Sequence, residues 1–126
     1  LGFTYAALIP MKLYGIPNCN TVKKARTWLD EHGIAYEFHD FKKQGVDSNT
    51  LENWLGQTSW EKLVNRAGMT WRGRGDETRA AIVDNASAIN LMMEKTSVIK
   101  RPVLVRDGKV LSLGFDESTY RKLLLS

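Results

Sequence analysis

The sequence predicts an α/β fold built on one mixed sheet, and three observations carry that prediction. Near the start, a short apolar run, a helical stretch and an alternating run follow one another within about thirty residues, the span of a β-α-β unit with parallel strands. Near the end, two apolar runs flank Asp107-Gly108, the pair favoured in tight hairpin turns, and a helical stretch follows. Between these two halves the apolar residues recur at helical rather than alternating spacing.

Each element has its own signal. Residues 11–16, MKLYGI, run into Gly15 and Pro17 and read as a strand. Asn18-Cys19-Asn20-Thr21 offers helix-capping side chains. TVKKARTWLDEHG then sets Val22, Ala25, Trp28 and Leu29 at helical spacing, with Gly33 as the C-terminal cap. Residues 34–41, IAYEFHDF, alternate Ile34, Tyr36 and Phe38 against Ala35, Glu37 and His39, a strand with one polar face. KKQGVDSNT is a loop ending in caps. LENWLGQTSWEKLVNRAG holds Leu51, Trp54, Leu55, Leu63 and Val64 in a broken helical pattern. DETRAAIVDNASAINLMMEKT gives one or two further helices, with Ala81, Ile82, Ile89, Leu91 and Met92 turned inward. PVLVR and KVLSLGF are the hairpin strands, and DESTYRKLLL is an amphipathic helix capped near Asp116. The order β-α-β, helices, β-β-α gives a sheet with a parallel and an antiparallel half. This is the thioredoxin-like plan, with a helical subdomain inserted over about residues 48–97. Residues 1–10, LGFTYAALIP, lack an initiating methionine, carry no charge and end in proline. They are read as a non-native extension ahead of a single domain over 11–126.

Composition narrows the function. The chain has 126 residues, enough for one domain with a core, and is 43% apolar and 25% charged. No apolar run approaches the roughly 18 residues of a membrane span, so no membrane association is expected. One cysteine excludes an internal disulfide and a cysteine-rich zinc site. Two histidines are too few for the usual zinc cluster, so no metal is expected. A reducing, cytoplasmic location fits this cysteine usage. The net charge of +4 is mild and suits anionic small molecules, thiolates or acidic partners. Nucleic acid is disfavoured, because lysines and arginines are interspersed with acids rather than gathered in a stripe.

The chemistry gathers at GIPNCNTVKKAR, residues 15–26. A thiol at a helix N-terminus lies beside unpaired backbone N–H groups and the positive end of the helix dipole, and both favour the thiolate. Lys23 and Lys24 add positive potential, and Asn20 and Thr21 are placed to cap the helix and to hydrogen-bond an anion. Cys19 is therefore expected to be a nucleophile able to attack a disulfide, a sulfenic acid or an oxyanion. The competing reading is a small buried cysteine without reactivity. The polar strand-to-helix loop favours the reactive one.

These stretches resemble a known family. LYGIPNCNTVKKARTWLDEHGIAYEFHDF, WEKLVNRAGMTWR, and IKRPVLV followed by LGF are similar, in order and spacing, to the ArsC/Spx/YffB proteins of thioredoxin fold. NRAGMTWR and LGF bring the chain nearest to the YffB-like branch. The resemblance covers Met11 to about Leu125. It implies a catalytic cysteine at Cys19 and an oxyanion-holding arginine at Arg101, ahead of Pro102. Such a proline is often cis and would present backbone groups beside the thiol. A second family arginine in the helical insert matches Asn65 or Arg66, and Arg66 is taken because the charge is needed. A third, near the last strand, has no counterpart, since Ser112 to Gly114 stand there. Its absence disfavours arsenate reduction. The Spx branch carries a second cysteine where this chain has Val22, so an internal redox switch is excluded. The resemblance thus implies a glutathione-dependent thiol reductase acting on a small-molecule or protein substrate. Asn20, Thr21, Lys23, Arg66, Arg101 and Pro102 would hold substrate or glutathione. Glutathione or glutaredoxin would act as partner, with no tightly bound cofactor. The alternatives are a non-catalytic adaptor that docks on RNA polymerase, as the Spx branch does, and a glutathione- or glutaredoxin-linked arsenate reductase.

The remaining features have plainer readings. Arg72, Arg74 and Arg79 crowd TWRGRGDETR and read as a solvated loop, with Asp76 as a helix cap. His39 reads as a surface histidine on the polar side of its strand. Trp28, Trp54, Trp60 and Trp71 read as packing residues, and Trp71, beside Arg72, is the one suited to a pocket.

Overall fold

The computed structural model of the chain describes residues 11–125; the expected extension, 1–10, lies outside them. In chain order the elements are β1 (Met11–Gly15), α1 (Asn20–Glu31), β2 (Glu37–Asp40), α2 (Phe41–Gln44), α3 (Ser48–Leu55), α4 (Trp60–Leu63), α5 (Met69–Arg72), α6 (Asp76–Ala80) and α7 (Asn85–Glu94). A 3-10 turn (Thr96–Val98), β3 (Val103–Arg106), β4 (Lys109–Leu113) and α8 (Glu117–Leu124) complete them. The chain forms two compact units. One comprises residues 11–41 and 101–125; the other is Lys42–Lys100.

The first unit is the thioredoxin-like mixed sheet, with strand order β2-β1-β3-β4. β1 runs parallel to β2 and antiparallel to β3, and β3 pairs antiparallel with β4. The parallel pair follows from the α1 crossover and the antiparallel pair from the Asp107-Gly108 turn. Asp107 has φ 50° and Gly108 φ 79°, the left-handed values that a two-residue hairpin turn demands. Leu13, Ala25, Leu29, Leu104 and Tyr120 are fully buried together, and Ile34, Tyr36 and Phe38 pack against them. Each large apolar side chain so buried contributes roughly 1.5–3 kcal/mol. The second unit is helical. Asp47, Ser59 and Asp84 cap α3, α4 and α7 with their side chains, and Asp84 and Ser87 form a reciprocal capping box. Leu51, Trp54, Leu63, Val64, Leu91 and Met92 are buried.

Several expectations change. The second strand begins at Glu37 rather than Ile34, because the Ile34 N–H donates to the Leu29 carbonyl (3.0 Å) and helps terminate α1. Phe41 already opens α2. Ile34, Tyr36 and Phe38 nevertheless turn to the core, as their alternation predicts. Ala81 is exposed, not inward: α6 ends at Ala80, and Ala81 is its C-cap. Gly75, not Asp76, is the N-cap of α6, and Asp76 instead pairs with Arg79. His39 is half-buried, 4.6 Å from Tyr14 and 5.8 Å from Phe41 between ring centroids.

Candidate active site

The site forms where β1 hands over to α1. Gly15 ends β1 against the helix: a Cβ there would stand 2.8 Å from Val22 Cγ2. Only glycine lets the strand end approach so closely, and this sets where the loop turns into the helix. Cys19 is itself the N-cap of α1, with extended backbone (φ −103°, ψ 125°), and among the described residues no side-chain oxygen caps this end. Its carbonyl accepts the first helical bond, from the Lys23 N–H at 2.9 Å. The expected capping by Asn20 and Thr21 is therefore replaced. Both lie inside the first turn, with exposed side chains. The first-turn N–H groups that a capping oxygen would have taken are left to the sulfur.

The thiol is half-buried. That burial raises its pKa, but four effects together outweigh it. In decreasing size they are the Val22 N–H, the Arg101 guanidinium hydrogen bond, the Thr21 N–H and the Arg101 charge. The net result lies below the ordinary thiol value, and the thiolate is the favoured partner of all three residues. Thr21 contributes through its backbone, not its hydroxyl. Lys23 is not among the groups that hold the thiolate.

Arg101 comes from the segment entering β3, and the Arg101-Pro102 peptide is cis. Pro102 is buried, and its carbonyl accepts the Gly114 N–H at 2.8 Å, extending the β3–β4 pairing to the residue that follows Arg101. A groove of about 360 Å³ opens along α1. It is lined by Lys23, Lys24, Thr27, Trp28, Glu31, Phe115 and Glu117. Lys23 thus lines a groove. The indole N–H of Trp28 is buried with no hydrogen-bond partner among the described residues.

Cys19, Thr21 and Arg101 are brought together in the first unit, and Pro102 is the buried residue that follows Arg101 in the chain. Arg66 belongs to the second, exposed, with its guanidinium carbon 5.8 Å from the Trp60 ring centroid. Reasoning from side-chain types misses the Val22 N–H. The signal is present in the sequence: a cysteine at an N-cap receives the N–H groups two and three residues on, whatever their side chains. Among the described residues no three His, Cys, Asp or Glu side chains gather as a metal site, and no helix is long and apolar enough to cross a membrane.

The ArsC family model matches residues 14–123. The chain belongs to the ArsC family. An ArsC-related protein from Brucella melitensis is 49% identical, with TM-score 0.74 and coverage of 91% of this chain and 94% of that one. A YFFB protein is 44% identical, with TM-score 0.80 and coverage of 90% and 98%. The Global transcriptional regulator Spx 1 of Lactococcus lactis is 29% identical over 117 residues, covering 89% of this chain and 87% of the regulator. ArsC relatives thus include proteins described as related to arsenate reductase and proteins described as transcriptional regulators, and this chain matches both along nearly its whole length.

Proposed function

We propose that the protein is a glutathione-dependent thiol reductase with Cys19 as its single nucleophile. One observation carries this reading: the lone thiol of the chain meets two helix N–H groups and the Arg101 guanidinium, which favour its thiolate. In the proposed cycle the Cys19 thiolate attacks the glutathione sulfur of a glutathionylated substrate. A Cys19–glutathione disulfide forms and the substrate sulfur leaves as thiolate. The thiolate of a second glutathione then attacks the glutathione sulfur of that adduct. Cys19 is released as thiolate and glutathione disulfide departs, so each turnover consumes one glutathione and carries off the substrate's own glutathionyl group as the other half of that disulfide. Arg101 holds negative charge at the reacting sulfurs, and the groove edged by Lys23 receives the carboxylates of glutathione.

The test is release of glutathione from a glutathionylated peptide, with whole-protein mass spectrometry of the adduct. A Cys19 adduct without added glutathione, and repeated turnover once glutathione is supplied, both absent in Cys19→Ser, are expected. No adduct and no release refutes the reading. The likeness to Spx regulators favours a second reading, a docking module for RNA polymerase. Stoichiometric co-purification with polymerase, unaffected by Cys19→Ser, would decide for it.

A further inference from the structure

The helical unit carries a cleft of about 520 Å³ that the thiol chemistry does not use, lined by Arg74, Thr78 and Ile82 on one wall and Asn90, Leu91 and Glu94 on the other. The second wall is one face of α7, because residues 90, 91 and 94 recur at helical spacing. The volume lies within the usual range for small-molecule sites.

Two features make this cleft more than a surface depression. Its wall is braced: Arg79 donates to the carbonyls of Arg72 (2.9 Å) and Arg74 (2.6 Å) and pairs with Asp76, tying the 72–76 turn together. Its charges are also incompletely met. The Arg74 side chain is 23% exposed, and its Nε is buried with no hydrogen-bond partner among the described residues. Its Nη2 stands 3.8 Å from Glu94 Oε1, beyond hydrogen-bond reach, and the Glu94 side chain is 65% exposed. An adjacent cation and anion, neither fully engaged, lie beside the apolar surface of Ile82 and Leu91.

The geometry points to a binding site for a small zwitterion, an α-amino acid with a bulky apolar side chain. Its carboxylate would lie against the Arg74 guanidinium and its ammonium against Glu94, closing a ring of alternating charges. The two charges of an α-amino acid are adjacent in the same way as those of the Arg74–Glu94 pair. Asn90 and Thr78 supply further polar contacts, and Ile82 and Leu91 receive the side chain. A simple anion would meet Glu94 unfavourably, and a simple cation would meet Arg74. The site therefore selects for both charges together.

The test is titration of the isotope-labelled full chain with L-phenylalanine, N-acetyl-L-phenylalanine and L-phenylalaninamide, read by amide NMR. Saturable shifts confined to residues lining the cleft are expected for phenylalanine at millimolar concentration, with at least tenfold weaker binding of the two singly charged analogues. Glu94→Gln, an exposed change that spares the fold, should weaken phenylalanine and improve the N-acetyl analogue. Arg74→Gln should abolish binding of both. No shifts with phenylalanine, equal binding of all three compounds, or indifference to Glu94→Gln each overturn the inference.

Discussion

Arg101→Met removes both the hydrogen bond and the charge that Arg101 gives Cys19, while keeping an unbranched side chain. A hydrogen bond to a charged group contributes about 1.5–3 kcal/mol, and the half-exposed sulfur argues for the low end because solvent screens it. About 1.4 kcal/mol is a tenfold change in the ratio of thiolate to thiol. Thiolate absorbance followed against pH reads this directly, and the variant should titrate at higher pH than the parent. Alkylation by neutral iodoacetamide gives a sharper signature. A more basic thiolate is intrinsically more nucleophilic, with a Brønsted coefficient of about 0.4–0.5, so a tenfold shift carries about a threefold gain in reactivity. The variant should react about threefold slower than the parent at low pH and about threefold faster once both thiols are ionised. The rate profiles therefore cross. General loosening of the fold would raise the rate at every pH instead. Stability carries the same signature. A thiol with depressed folded pKa contributes stability that is fully present above its unfolded value of about 8.5 and is lost as pH falls through the folded value. Arg101→Met should shrink that pH-dependent part. Coincident titration curves for parent and variant would refute the role given to Arg101.

Two other residues test the scaffold. The Tyr120 hydroxyl is buried with no hydrogen-bond partner among the described residues, and burial pushes its pKa up, so the phenol stays neutral. Tyr120→Phe should leave stability unchanged or raise it by up to about 1 kcal/mol in denaturant unfolding, since an unmet polar group is removed without changing the ring packing on Trp28 and Phe115. The Thr119 hydroxyl and N–H hold the Asp116 carboxyl below the usual carboxylate range, with smaller help from the Ser118 hydroxyl and the Lys122 charge. Its contribution is present above the unfolded value of about 3.9 and is lost as pH falls through the folded one. Asp116→Asn should keep the α8 cap but lose this acid-side slope, measured as melting temperature against pH.

Local chemistry makes most of the first unit legible in advance. Asp107-Gly108 announces its own turn, Asp116 its own cap, and the spacing of Val22, Ala25, Trp28 and Leu29 marks the buried face of α1. The start of β2 is harder. Ile34 alternates like a strand residue, but its N–H is already committed to ending α1, and side-chain pattern carries no record of where a backbone donor goes. The end of α6 fails for a related reason. Ala81 is a good helix former, yet at a C-cap, outside the buried face, it gains nothing from being apolar. At the site, residue types lead to Cys19 and the family resemblance to Arg101. Residue types alone misassign the stabilising groups by crediting the side chains of Lys23, Asn20 and Thr21. The N–H groups that reach the sulfur belong to the backbone, and any residue but proline at position 22 would supply one.

That last point separates the activation of Cys19 from its resolution. The Val22 N–H favours the thiolate, while its side chain is fully buried against Gly15. Val22→Cys keeps the N–H and adds a thiol one helical turn from Cys19, for a packing loss of about 1 kcal/mol. In the glutathione adduct, the new thiol would attack the Cys19 sulfur, expel glutathione as thiolate and leave an internal disulfide. Such an intramolecular step works at an effective concentration of at least roughly millimolar. Burial raises the attacking thiol's pKa and slows the reaction at neutral pH, so raising the pH should speed it. The expected outcome by whole-protein mass spectrometry is an adduct that forms and then decays to a protein two hydrogens lighter than its reduced form. A glutathione adduct of Val22→Cys that persists at alkaline pH would show that position 22 cannot reach the sulfur, and that the backbone, rather than the identity of one side chain, commits this site to an external thiol.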